Sequence, residues 1–288
     1  MSAGPSATLA DDLERLYAEF RFDRSLEHDP LGTLRPFARD PRRAEVAGAL
    51  GSVLAVGTTT SIQRAIATVT RAADGDLAAV VEPDHARAIA RRLRGFRHRW
   101  IRGDQLVYLF GRLTALYQRG ETLERVFATG FADGGFAGGL DRLARYLRSG
   151  PARAPAGYAR LFPSPLDPTR SACKRSTLFV RWMVRDRYPD LGVWTTVPTG
   201  ELRVPLDQHV FWIARNIGLT DRRTPSWAAV EDVTEALRRI DPIDPVRFDF
   251  VLCHTGVSKA CPKRREIVRC APCALRPDCR LWRRVRAA

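Results

Sequence analysis

Four of the chain's six cysteines lie within nineteen residues near its C-terminal end, in the segment CPKRREIVRCAPCALRPDC (261–279). Cys261, Cys270, Cys273 and Cys279 follow the spacing Cys-x8-Cys-x2-Cys-x5-Cys. Thiolates are the ligands of iron–sulfur clusters and of tetrahedral zinc. A short segment that is rich in arginine and poor in large apolar residues cannot form a core, and metal–thiolate bonds supply the missing constraint. The sequence therefore predicts a metal-binding loop.

The spacing favours an iron–sulfur cluster, with zinc as the alternative. Structural zinc sites usually combine two short Cys-x-x-Cys pairs, whereas here only Cys270 and Cys273 form one. We therefore expect a [4Fe–4S] cluster. The two remaining cysteines, Cys173 and Cys253, are interpreted as small core residues.

The chain is strongly basic, with 47 lysines and arginines against 32 acidic residues and a net charge of +15. Residues 253–288 hold ten of these cations and two acidic residues, so this tail carries +8. An arginine-rich solvated surface is one explanation. The uneven distribution favours a polyanionic partner, most simply a nucleic acid.

Apolar residues recur at helical spacing through most of the chain, which predicts an all-α fold. Two short segments, 191–198 and 201–205, are the candidate strands, and the glycine-rich segment 130–139 is predicted to be a flexible loop. The predicted helical segments are 11–20, 42–57, 61–73, 85–96, 104–120, 140–150, 176–186, 207–219, 226–240 and 245–257.

Neither a membrane span nor a secretory signal is expected. The apolar runs 46–56 and 106–117 are too short or too interrupted to cross a bilayer, and the first residues lack a basic region followed by an apolar one. We expect a cytoplasmic, nucleoid-associated protein that acts as a monomer.

Three segments together with the cysteine loop resemble the helix-hairpin-helix, endonuclease III-like DNA glycosylases. The segment VPLDQHVFWIAR (204–215) resembles the start of the helix that carries the catalytic aspartate, and DPVRFDFVLCHTG (244–256) resembles the helix that precedes the cluster loop. The segment 45–69 is similar to the family's early buried helix and the turn after it. The resemblance spans about residues 40–282. It implies a two-lobed helical fold with a C-terminal iron–sulfur loop, acting on double-stranded DNA.

The resemblance assigns the chemistry to Asp207 and Lys174. In such enzymes a carboxylate stabilises the positive charge that develops on the sugar, and a neutral amine attacks C1′. Asp207 also stands at a helix start, where capping is the simpler role. Lys174 is one of only three lysines, and lysine can act as a neutral nucleophile where arginine cannot. A shift of one position would put Arg175 there instead.

Two departures distinguish this chain from the family. The segment PLDPTRSACKR (165–175) lacks the glycines of the usual hairpin, and the turn GTTTS (57–61) lacks the usual glutamine. The interval from Lys174 to Asp207 is long, as in the archaeal 8-oxoguanine glycosylases. An oxidised purine is therefore one expected substrate.

Other site residues follow from their positions along the chain. Lys263, Arg264, Arg265 and Arg269 in the loop, with Arg175, are predicted to contact DNA phosphates. The candidates for stacking a flipped base are aromatic or polar residues near the proposed site, namely Trp182, His209, Phe211 and Trp212, with Trp194 nearby.

The predicted organisation has three parts, and the N- and C-terminal parts are able to pack as one unit. Residues 1–150 form a helical region, 151–258 a helical region with a modified hairpin and the catalytic pair, and 259–288 the cysteine loop and basic tail. The function implied is a base-excision glycosylase, with strand cleavage as an optional second step. The alternative is a non-catalytic iron–sulfur or zinc protein that binds nucleic acid on the same fold.

Overall fold

The computed structural model describes residues 7–169, 171–262 and 264–283. Within these ranges the chain is mostly helical and has one two-stranded sheet, so the predicted all-α class is confirmed. No helix in the described ranges is long and apolar enough to cross a membrane. The helices and strands are α1 (Ala7–Ala18), α2 (Phe22–Leu26), α3 (Pro30–Leu34), α4 (Pro41–Leu54), α5 (Thr59–Ala72), α6 (Pro83–Arg92), β1 (Arg97–His98), β2 (Ile101–Arg102), α7 (Gly103–Tyr117), α8 (Leu123–Arg148), α9 (Lys174–Val184), α10 (Gln208–Asn216), α11 (Trp227–Arg238), α12 (Asp249–Val257), α13 (Ile267–Cys270) and α14 (Arg280–Arg283).

The chain divides into two compact units, and neither is continuous in sequence. The larger unit comprises Asp23–Asp167 and Arg175–Pro198. The smaller unit comprises Met1–Phe22, Pro168–Lys174 and Thr199–Ala288. The smaller unit therefore joins the first helix to the cysteine loop.

The core of the larger unit is built on α4, which is buried along almost its whole length. Asp40 caps this helix by accepting a hydrogen bond from the Arg43 amide at 3.1 Å, and Pro41 occupies the first turn, where its missing N–H costs nothing. A Cβ on Gly48 would lie 2.6 Å from Cε of Met183 on α9. The small residues of α4 thus permit α9 to pack directly against it.

The glycine-rich segment 130–139 is helical on both sides of a kink, so the predicted flexible loop is wrong. Gly134 and Gly135 interrupt α8, and Gly135 has φ 59°, which favours glycine. A Cβ on Gly130 would lie 2.5 Å from the carbonyl oxygen of Gly138. The glycines therefore serve close packing of the two helical halves across the kink.

The two predicted strands are also absent. Residues 191–198 are irregular and the amide of Trp194 donates to the Met183 carbonyl at 2.8 Å, while the amide of Val204 donates to the Thr234 hydroxyl at 3.0 Å. These amides find partners on helices, so no second strand is required. The strands β1 and β2 form an antiparallel hairpin between the predicted helices 85–96 and 104–120, where no strand was predicted.

In the smaller unit, α10 packs closely on α12, because a Cβ on Gly256 would lie 2.5 Å from Cβ of His209. Aromatic rings join α1 to α12: Phe20 contacts Phe250 with ring centroids 6.0 Å apart, and Tyr17 contacts Phe248 at 5.9 Å. This packing fixes the start of α10 beside the middle of α12.

A candidate nucleic-acid interface beside the cysteine loop

Asp207 is the N-cap of α10. Its Oδ1 accepts hydrogen bonds from the amides of His209 and Val210, both at 2.8 Å. The predicted capping role is therefore confirmed, and it leaves Oδ2 for another partner. The thiol of Cys253, on α12, donates to that oxygen at 3.6 Å. The half-buried carboxylate is thus oriented by a helix terminus on one side and a weak sulfur donor on the other.

A groove of about 700 Å³ opens at the start of α10, where Gln208 and His209, the two residues that follow Asp207, lie in its wall. The wall takes residues from the start of α10, from the segment before α11, from the end of α12 and from the cysteine loop. The aromatic, cationic and thiol side chains of the wall include Phe211, Trp212, Arg215, Arg223, Lys259, Cys261 and Arg269.

Three of the predicted base-stacking residues line this groove. His209 is exposed, Phe211 is buried, and Trp212 is half-buried and donates from Nε1 to the Pro262 carbonyl at 3.4 Å. The other candidate, Trp182, is a buried core residue of the larger unit. Trp194 is buried there as well. Both indoles fill the core because they stand on or beside α9, whose inner face packs on α4.

The groove carries an excess of positive charge. Four cations lie in its wall, and its one carboxylate, Glu266, pairs with Arg269 at 3.3 Å. Within the described ranges no carboxylate pairs with Arg215, Arg223 or Lys259. A basic wall beside aromatic rings is the chemistry that binds phosphates and stacked bases.

Lys174 and Asp207 both belong to the smaller unit, and their predicted joint role stays a prediction. Lys174 is half-buried and is the first residue of α9. The residue before it, Cys173, is fully buried and has φ 50°, an uncommon conformation for a residue other than glycine. The glycine-free segment before Lys174 therefore makes its turn with a left-handed cysteine.

Arg175, predicted to contact DNA phosphates, makes contacts within the protein, and its predicted role stays a prediction. Its guanidinium donates to the carbonyls of Arg160 at 2.5 Å and Leu161 at 3.2 Å, and it lies 4.9 Å from the ring centroid of Trp100. These contacts lie within the larger unit and hold the side chain against its own surface.

The four cysteines of the loop are half-buried and none forms a disulfide. Burial, and to a smaller extent the three other thiols, raise the pKa of Cys261 to about 12. Burial likewise raises the pKa of Cys273, with Cys279 and Cys270 acting in the same direction. The neighbouring thiols therefore lie close enough to Cys261 and Cys273 to disfavour the ionisation of these two, an effect that a bound cation would reverse.

The loop cations differ in exposure. Arg264 and Arg269 are exposed, whereas the guanidinium of Arg265 lies 4.0 Å from the ring centroid of Trp282. Lys263 lies outside the described residues. Arg280 fastens the end of the loop by an ion pair with Asp221 at 2.5 Å.

Four thiols are the donor set of either an iron–sulfur cluster or a tetrahedral zinc ion. Among the side chains described, no three of His, Cys, Asp or Glu meet closely enough to hold one metal ion. The predicted [4Fe–4S] cluster, with zinc as the alternative, therefore stays a prediction.

Several residues in and near the groove were not predicted as site residues from the sequence. Cys253, which contacts Asp207, was interpreted as a core residue. The groove residues Arg215, Arg223 and Lys259 were part of the general basic excess. Of these residues, Lys259 was the one that the sequence could have indicated, because it is one of only three lysines in a chain with 44 arginines.

The fold and the groove define a mostly helical protein with a basic, aromatic-walled groove beside a four-cysteine loop. The family described as "Protein of unknown function (DUF2400)" matches residues 29–258. The chain belongs to this family. The match ends before Cys261 and so does not include the cysteine loop. No curated protein and no solved structure matches the chain.

Proposed function

We propose that this protein is a DNA base-excision glycosylase that removes a damaged base, with an oxidised purine as the first substrate to test. One observation carries the proposal: the groove joins the helix start at Asp207, the aromatic wall of Phe211 and Trp212, and unpaired cations beside the cysteine loop. A flipped nucleotide needs these three features, namely a carboxylate, a stacking surface and phosphate contacts.

The chemistry assigned to the chain's own residues is limited. When the N-glycosidic bond breaks, the base leaves with the bonding electrons and positive charge develops at C1′. The Asp207 carboxylate, fixed by two amide hydrogen bonds, stabilises that charge without moving. The neutral Nζ of Lys174 then forms a bond to C1′. A proton passes from this nitrogen to the ring oxygen O4′ as the C1′–O4′ bond breaks, which leaves a protonated Schiff base between Lys174 and C1′.

The four cysteines are proposed to hold a [4Fe–4S] cluster, with zinc as the alternative. Bound there, the cluster supplies a structural constraint rather than a reactive group. Arg264 and Arg269 on the constrained loop lose less entropy when they contact phosphates.

Single-lesion duplexes test the proposal directly. The full-length protein is incubated with duplexes that carry 8-oxoguanine, uracil, hypoxanthine or an abasic site, with and without borohydride. We expect base release from at least one duplex and a covalent adduct that borohydride traps.

The lysine content makes the trapping test sharp, because the chain has only Lys174, Lys259 and Lys263. We expect Lys174→Gln to abolish the adduct and Lys259→Gln, the matched control in the groove, to retain it. Base release without a trapped adduct would refute the proposed attack by Lys174 and leave the glycosylase proposal standing. Absence of both release and trapping from every duplex would refute the glycosylase.

A non-catalytic nucleic-acid-binding protein is the second candidate. It is favoured by the engagement of both Asp207 oxygens, since Oδ1 caps α10 and Oδ2 accepts from Cys253. This candidate predicts tight binding with no base release.

A further inference from the structure

A short arginine-rich hairpin stands in the larger unit, outside the groove described above. The strands β1 and β2 pair Arg97 with Arg102 and His98 with Ile101, which leaves Arg99 and Trp100 at the tip. Two contacts anchor its base: Ile101 is fully buried, and Nε2 of His98 lies 3.0 Å from the Leu54 carbonyl oxygen. The tip is therefore held by the core of the unit.

The segment that runs from α6 through this hairpin has a charge excess that the described chain does not neutralise. Residues 85–102 hold seven arginines and no acidic residue. Two of the seven are paired, because Arg92 contacts Asp74 at 2.7 Å and Arg102 contacts Asp104 at 3.0 Å. The other five are exposed and have no carboxylate partner among the described residues, and they are Arg87, Arg91, Arg94, Arg97 and Arg99. Unneutralised guanidinium groups at this density attract a polyanion.

An aromatic ring is held at the tip of this basic surface. Trp100 is 38% exposed, which is unusual for the largest apolar side chain. The guanidinium of Arg175 lies 4.9 Å from its ring centroid and is itself fixed by the carbonyls of Arg160 and Leu161. The indole is therefore supported by a fixed cation and still reaches solvent.

The backbone at the tip is strained in a way that supports a role in binding. Arg99 has φ 56°, a conformation that is unfavourable for a residue with a side chain. Its side chain runs over the turn before α5, because a Cβ on Gly57 would lie 3.5 Å from the Arg99 Cδ. Glycine would relieve the strain but would remove a cation from the hairpin tip.

We propose that this hairpin binds an unpaired nucleotide of a nucleic-acid strand, with Trp100 stacking on the base and Arg97 and Arg99 contacting flanking phosphates. The combination of an exposed ring and unneutralised cations is what a base and its phosphodiesters require. An acidic peptide would satisfy the cations but would not use the ring face.

The inference is independent of base excision, since it concerns binding to an undamaged strand. Fluorescence anisotropy of the full-length protein is measured with three labelled probes: a fully paired DNA duplex, the same duplex with one unpaired base, and a single strand of DNA or RNA. We expect the wild-type protein to prefer the unpaired base and the single strand. Comparison of the DNA and RNA strands identifies the natural source of the nucleotide.

Trp100→Ala is expected to lower affinity for the unpaired-base probes about tenfold and to change affinity for the paired duplex less than twofold, because only stacking is lost. Trp100→Phe keeps a ring and is expected to remain within about threefold of the wild type. Arg97→Ala is expected to weaken all probes alike and to reduce the salt dependence by about one ion. The matched control is Arg125→Ala in the same unit, where the side chain is 73% exposed and paired with Glu121.

The inference would be overturned if Trp100→Ala and the wild type bound every probe with equal affinity, or if the wild type did not prefer an unpaired base. It would also be overturned if polyglutamate displaced the labelled DNA as effectively as unlabelled DNA does. Circular dichroism and the thermal midpoint verify that each variant is folded. A protein that binds through the hairpin but releases no base refutes the glycosylase and leaves this inference standing. If the Trp100→Ala variant keeps both base release and nucleic-acid affinity, the hairpin inference is refuted and the glycosylase proposal stands.

Discussion

Two carboxylates, Glu45 in the larger unit and Asp207 in the smaller one, use similar hydrogen bonds in different surroundings. Glu45, on α4, is buried, and its carboxylate lies at the start of α8. There it accepts hydrogen bonds from the amides of Leu123 at 3.0 Å and Glu124 at 2.9 Å. It also accepts from the hydroxyl of Tyr117 at 2.9 Å and from Nε1 of Trp194 at 2.8 Å. Asp207 accepts from two amides at the start of α10 but stands half-buried beside a groove.

The difference teaches that enclosure, rather than hydrogen-bond type, separates a structural carboxylate from a candidate reactive one. Burial raises the pKa of Glu45, and its four donors oppose that effect by stabilising the anion. Every donor around Glu45 points inward, so the side chain locks three segments of the larger unit together. Asp207 is half-buried, and its second oxygen accepts from the Cys253 thiol, which is a weak donor.

Replacing Asp207 by Asn gives the largest expected effect. Base release should fall at least about 1000-fold, because the amide carries no negative charge to stabilise the sugar. The free energy of unfolding should change by less than about 0.5 kcal/mol, since Asn caps helices as well as Asp. Single-turnover base release and urea unfolding measure the two quantities. An Asn variant within tenfold of the wild-type rate would exclude Asp207 from the chemistry.

Replacing Glu45 by Ala tests the other side of the comparison. We expect a loss of about 3 kcal/mol in unfolding free energy, because two amides, a hydroxyl and an indole N–H lose their buried acceptor. Nucleic-acid affinity of the folded fraction should stay within twofold of the wild type. Urea unfolding followed by circular dichroism measures the loss. A change in unfolding free energy below about 1 kcal/mol would show that Glu45 does not hold these segments of the larger unit together.

The cysteine loop supplies the next test, since it borders the Asp207 groove and has no counterpart around Glu45. Cys270→Ser should lower nucleic-acid affinity about tenfold and reduce bound iron, while helix content stays unchanged. Cys173→Ser is the matched control, because it changes a buried thiol that lies outside both the loop and the groove. Anisotropy, iron analysis and visible absorption provide the measurements. Equal loss of helix content and affinity would make the loop part of the core.

A third carboxylate, Asp167, belongs to a partly exposed ion pair. Its replacement is expected to have a smaller effect than the replacement of Asp207, Glu45 or Cys270. The Arg148 guanidinium, at 2.5 Å, is the main cause of its lowered pKa. Asp167→Asn should cost about 1 kcal/mol at pH 7. Because the folded-state pKa lies below the usual 3.8, this contribution is complete above pH 3.8 and is lost as the pH falls through the folded value. Urea unfolding of both proteins from pH 7 to pH 3 measures the difference, and a difference that grows on acidification would contradict the assignment.

The sequence predicted the helices well, because their signals are local. Periodic apolar residues identified α4, α5, α7 and α10, and Asp207 was recognised at its helix start from the residues around it. The same local reasoning misread the glycines of α8, because glycine favours loops unless close packing uses its small size. It also missed the hairpin of β1 and β2, whose strands have two residues each.

What the chain alone determined is therefore the helical class, the four cysteines and the position of a carboxylate at a helix start. Only the tertiary structure brought Cys253 against Asp207, Trp194 against Glu45 and Arg175 against Trp100. The physical reason is the range of each effect. Helix propensity and capping act over a few residues, whereas Glu45 and Trp194 are 149 residues apart and meet only because α4 and the segment after α9 share one core.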